Sequence, residues 1–111
     1  MADIRFPFGA IDVQNPTYAA SITATISKST FITVGSAALA AGFTLVLALG
    51  AGLVAGDMLF VSWLSDGTAR SMTPSTGFKG TTAIAGTISK TQTAAFVFDG
   101  TVFQSIGNQV Q

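Results

Sequence analysis

Between Lys28 and Asp57 the chain carries no charged side chain. An uncharged apolar run of that length has two physical outcomes. It can form buried β-strands joined by tight turns, or a membrane-crossing helix of about 20 residues. Gly35, Gly42, Gly50, Gly52 and Gly56 cut the run into pieces of strand length. Phe43, Leu45, Leu47 and Leu49 alternate with the smaller Thr44, Val46 and Ala48, a period of two that belongs to strands. No basic cluster flanks the run to orient a span. Gly42 to Thr73 is therefore read as the strands around which the fold is organised. A span through residues 35–56 is the less favoured alternative.

The flanking sequence carries the same period. Ile22, Ala24 and Ile26 alternate with Ser21, Thr23, Thr25 and Ser27, the pattern of a half-buried strand. Lys28-Ser29 is polar enough to turn, and Phe31 to Val34 predicts a second short strand. Gly50 to Asp57 reads as a turn-rich connection with Leu53 and Val54 tucked beneath it and Asp57 capping backbone amides. Met58 to Ser65 is apolar on both faces, as in a strand covered on both sides.

Two Asp-Gly pairs predict hairpins, because a two-residue type I′ turn needs positive φ at both central positions. Asp66-Gly67 would set Trp63 opposite Arg70 and Val61 opposite Met72, with a cation–π contact open to Trp63 and Arg70. Asp99-Gly100 would set Phe96 opposite Phe103. Phe96, Phe98 and Phe103 would then share the core face, and Val97 and Val102 the other, where a neighbour could pack. Pro74 to Ile84 is a loop by composition. Its one large apolar residue, Phe78, is either a plug over the core or a binding finger.

Together these signals predict one all-β domain, a small antiparallel β-sandwich or jelly-roll-like fold of about seven or eight strands, over residues 17–111. Residues 1–16 read as an extended N-terminal arm. Pro7 and Pro16 disfavour helix there. Ile4, Phe6, Phe8 and Ile11 are costly to leave in water, so the arm is expected to dock, on a neighbouring subunit or a larger assembly.

The residues also exclude chemistry. There is no His and no Cys, so neither Ser-His-Asp nor Cys-His catalysis can be assembled within the chain, and no thiolate metal site or disulfide framework can form. Every acid is Asp, and no paired-carboxylate or phosphate-loop pattern appears. No enzyme activity, cofactor or metal is expected. Five basic and five acidic residues give a net charge of zero, without the basic patch that nucleic acid requires. No basic segment followed by an apolar core opens the chain, so secretory export is not expected. Charged residues make up only 9% of the chain against about 25% in average proteins. Part of the surface is therefore expected to be covered by other protein.

Ala55-Gly56-Asp57, Asp66-Gly67-Thr68, the segment Gly86 to Lys90 and the closing Phe96 to Phe103 hairpin occur in an order that resembles the β-rich head-fibre and capsid decoration proteins of tailed bacteriophages. The resemblance covers Phe43 to Phe103. It implies a structural virion protein on the capsid exterior, with the major capsid protein as partner, assembled as a homotrimer or another homo-oligomer; the charge distribution and the period-two run leave neither nucleic acid nor membrane as an expected partner. It carries no catalytic residues. The arm would be the capsid anchor, with Ile4, Phe6, Phe8, Ile11, Val97 and Val102 as contact candidates. The alternative within the same family is a receptor-binding tip that uses Phe78.

Overall fold

The computed structural model describes the backbone of residues 11–110 and the side chains of residues 11–107. The described residues form nine strands and no helix: β1 (Asp12–Gln14), β2 (Ser21–Ile26), β3 (Thr30–Thr33), β4 (Phe43–Leu49), β5 (Met58–Leu64), β6 (Ser71–Pro74), β7 (Ile84–Ala85), β8 (Thr91–Phe98) and β9 (Phe103–Val110). They make a five-stranded sheet ordered β1-β3-β5-β8-β9 and a four-stranded sheet ordered β2-β4-β6-β7. The fold is all-β and sandwich-like, as the alternation predicts.

The sheets are mixed, not purely antiparallel. β1, β3 and β5 run parallel in one sheet, and β2, β4 and β6 run parallel in the other. The chain therefore crosses the sandwich after each of its first five strands. A parallel pair needs a crossover of a dozen or more residues, normally a helix. Here the crossover is a strand of the opposite sheet, so every turn from β1 to β6 is a corner between sheets. Only β7, β8 and β9 join antiparallel.

This winding explains which turn expectations fail. Asp66-Gly67 does not close a hairpin, because β5 and β6 lie in different sheets. Asp66 instead builds an Asx turn, its Oδ1 accepting from the Thr68 amide at 2.9 Å. Asp-Gly reports a sharp reversal, and a sheet-to-sheet corner supplies one as readily as a hairpin does. Asp99-Gly100 does lie in a β8–β9 hairpin, but Phe98 pairs with Phe103 and Phe96 with Ser105. The Asp99 amide donates to the Val102 carbonyl at 3.0 Å, which centres the turn on Gly100-Thr101. Moving the turn centre by one residue preserves which side chains share a face, so all three Phe residues still point inward.

The core fills the space between the sheets. Ile22, Ala24 and Ile26 of β2, Phe43, Leu45 and Leu47 of β4 and Met72 of β6 meet Ile32, Leu59, Val61, Trp63, Ala94, Phe96, Phe98 and Phe103 from the five-stranded sheet. Each large side chain buried there contributes roughly 1.5–3 kcal/mol. Phe43 and Trp63 bridge the sheets edge to face, with ring centroids 5.7 Å apart. Leu53 packs partly against this cluster, but Val54 is exposed, since the turn that Asp57 closes by accepting the Val54 amide at 3.0 Å points it outward.

Candidate interaction surfaces

The two outer faces of the sandwich differ in chemistry. On the four-stranded sheet, Ser21 pairs with Thr44 and Thr44 with Thr73 across the outward positions, and Thr23 and Thr25 pair with Val46 and Ala48, a face richer in hydroxyls than in apolar side chains. On the five-stranded sheet, the inward set Ile32, Leu59, Val61, Ala94 and Phe96 turns the intervening residues outward. In register, Val13, Phe31, Phe60 and Ala95 then form one row across β1, β3, β5 and β8. Met58 and Val97, paired with each other, add a second apolar step. Val13 is 70% exposed, while Phe31, Phe60 and Ala95 are half-buried. The expected covering of β5 on both sides is thus met on its inner side by the core, and its outer side presents an apolar belt beside the hydroxyl row Thr33–Ser62–Thr93.

The contact candidates read from the sequence divide accordingly. Val97 lies on this belt, half-buried. Val102 does not share it as a strand neighbour: it stands at the β8–β9 turn opposite Asp99. Ile11 is exposed just ahead of β1, while Ile4, Phe6 and Phe8 lie outside the described residues. Part of the expected arm is built into the sheet: Asp12 to Gln14 pair with β3, and Asn15 Nδ2 donates to the carbonyls of Thr33 and Gly35 at 2.6 and 3.0 Å.

Phe78 is 7% exposed. Its ring packs edge to face on Phe96 at 4.9 Å, and its backbone bridges to Phe103. It occupies the plug position over the core. Around it lies a groove of about 390 Å³, lined by Pro74, Phe78, Ile84, Phe96, Phe103 and Ser105 among others. The groove opens between β7 and β9, the two sheet edges on that side of the sandwich.

The polar constellations are structural. Arg70 Nε and Nη2 donate to Asp66 Oδ1 and Oδ2 at 2.8 and 2.9 Å. The Arg70 guanidinium and then the Thr68 amide hold the Asp66 carboxyl below its ordinary pKa, and Asp66 raises that of Arg70 in return. Asp99 is likewise held low by the Val102 and Thr101 amides, then by Gln104. Among the described residues no three His, Cys, Asp or Glu side chains come together as a metal cluster. No described helix is long and apolar enough to cross a membrane, and the run from Gly35 to Gly56 forms β4 and its flanking turns. Sequence reading missed the apolar belt as a surface. The alternation within each strand was visible, but which strands lie side by side was not.

No protein-family model matches the chain, and no curated protein sequence matches it.

Proposed function

We propose that this chain is a structural protein of a tailed-bacteriophage virion, seated as an oligomer on the outside of the capsid, with the major capsid protein as its partner. The row Val13–Phe31–Phe60–Ala95 carries the reading. An apolar belt on one outer face, opposite a face richer in hydroxyls, suits a small domain that lies against a larger protein surface on one side and meets water on the other. The low content of charge and the order of turn motifs that resembles head decoration proteins support it.

The test uses capsids prepared without this protein. Wild-type chain is expected to co-sediment with them. Val13→Asp combined with Ala95→Lys places charges on the belt and is expected to abolish binding, while Thr23→Lys on the hydroxyl face leaves it intact. Equal binding by all three proteins, each with an unchanged β-type circular dichroism spectrum, would contradict the belt as the contact surface.

A further inference from the structure

The two lateral sides of the sandwich are closed differently. Where β1 and β2 form the edges, Gln14 Nε2 donates across to the Thr25 carbonyl at 2.9 Å and stitches the sheets together. Where β9 and β7 form the edges, the groove stands open. Its inward positions carry small residues. Ser105 pairs with Phe96 on the core side of β9, and Ala83 and Ala85 line the facing rim. β9 runs from Phe103 to Val110 with one strand neighbour, β8; on its outer edge Phe103 exchanges backbone hydrogen bonds with Gly77 and Lys79, and past Phe103 no strand pairs with that edge among the described residues. The edge that continues past Phe103 beside an apolar groove is a template for an added strand.

We propose that this groove and the β9 edge receive residues Ile4 to Phe8 of a second copy of the chain. The segment reads Ile-Arg-Phe-Pro-Phe. In an extended strand Ile4, Phe6 and Phe8 fall on one face. When the backbone groups of these residues are directed at β9, the groups of Arg5 and Pro7 point away from it. The donor that Pro7 lacks is then missing only on the solvent side, where proline is tolerated in an edge strand and blocks any further strand.

Reach selects a second copy over the same one. Asp12, Thr30, Leu59, Phe96 and Ser105 lie in one register row across the sheet. The row spans four strand spacings, about 19 Å from β1 to β9. Phe8 precedes Asp12 by four residues, at most about 14 Å of extended chain. The segment therefore cannot seat Phe8 in the groove of its own molecule. An arm given to the next copy, whose own arm goes to another, is a head-to-tail contact that can close into a ring. The proposal does not depend on the capsid reading and is tested without capsids.

The experiment uses the full chain in solution. Phe6→Asp combined with Phe8→Asp removes the donor, and Ala83→Trp fills the acceptor at an exposed position. Each is expected to weaken self-association by roughly 100-fold or more. An equimolar mixture of the two is expected to form a one-to-one pair, because one protein keeps a working groove and the other a working arm. A photo-crosslinking phenylalanine analogue at position 8, in mixed heavy- and light-isotope protein, is expected to join different chains and to capture residues 103–107 or 82–85. A wild-type chain that stays single across the micromolar range overturns the proposal. So does crosslinking confined to one chain, or crosslinking to another surface of the neighbour.

Discussion

Trp63 and Arg70 are joined across the corner between the two sheets: the indole Nε1 donates to the Arg70 carbonyl at 2.9 Å. Trp63 belongs to β5, and Arg70 leads into β6 of the opposite sheet. The same carbonyl accepts from the Gly86 amide at 2.9 Å, and the Arg70 amide donates to Ser65 Oγ at 3.0 Å. The contact is an indole hydrogen bond to the backbone. The guanidinium that could have lain over the ring is engaged by Asp66 instead.

This knot leaves no room at Gly86. A Cβ there would meet the Arg70 carbonyl oxygen, Ser65 Oγ and Trp63 Nε1. Gly86→Ala is expected to cost about 2–3 kcal/mol, read from the midpoint of urea unfolding.

Gly67 provides the contrast. Nothing lies within contact of a Cβ at Gly67, and its φ is not in the left-handed region. Gly67→Ala is expected to change stability by less than about 0.5 kcal/mol. A type I′ hairpin at Asp66-Gly67 would instead make that substitution destabilising.

Stability should fall in acid through Asp66 and Asp99. Both carboxyls are held below their ordinary pKa in the folded state, so their stabilising contribution is complete above the unfolded value of about 3.9. It is lost as pH drops through the lower folded values. With no His in the chain, the melting temperature should change little between about pH 5 and 8. Asp66→Asn with Asp99→Asn should lower stability at neutral pH and flatten the decline below about pH 4. Melting curves collected across that range provide the check.

Gln92 is 3% exposed, and its Oε1 has no hydrogen-bond partner among the described residues. It pairs with Trp63 in the β5–β8 register. Replacing an amide whose buried oxygen lacks a partner by an apolar side chain of similar length removes a desolvation cost of about 1–3 kcal/mol. Gln92→Met is therefore expected to raise the melting temperature, and a fall of several degrees would count against this account of the site.

Ser89 adopts a φ of 58°, a conformation that costs an L-residue with a side chain roughly 1–2 kcal/mol. Its amide donates to the Asp66 carbonyl at 2.9 Å, which fixes the turn. Ser89→Gly should keep that bond and stabilise the protein by about 0.5–1 kcal/mol, net of the entropy that glycine loses. Denaturant unfolding of the pair measures the difference.

The inward and outward sets of most strands were legible because period two is a local property. Ile22, Ala24 and Ile26, Phe43, Leu45 and Leu47, and Phe96, Phe98 and Phe103 all point where alternation places them. Leu49 does not, since it stands at the exposed end of β4. Strand partners were not legible. Pairing Ser21 with Thr44 or Phe31 with Phe60 joins residues far apart in the chain, and no residue pattern distinguishes a corner between sheets from a hairpin. The apolar belt and the open groove both depend on those pairings, so neither could be placed from the sequence, although Val97 and Phe78 were singled out within them.

The most direct test of the virion reading is made on intact particles, purified from the genome that encodes this chain. Quantitative mass spectrometry gives the number of copies per major capsid protein, and antibody labelling of undisrupted particles gives the side of the shell. The account predicts a fixed stoichiometry tied to the capsid lattice and labelling of intact heads. Absence of the chain from purified particles, or labelling only after the shell is broken open, would contradict it.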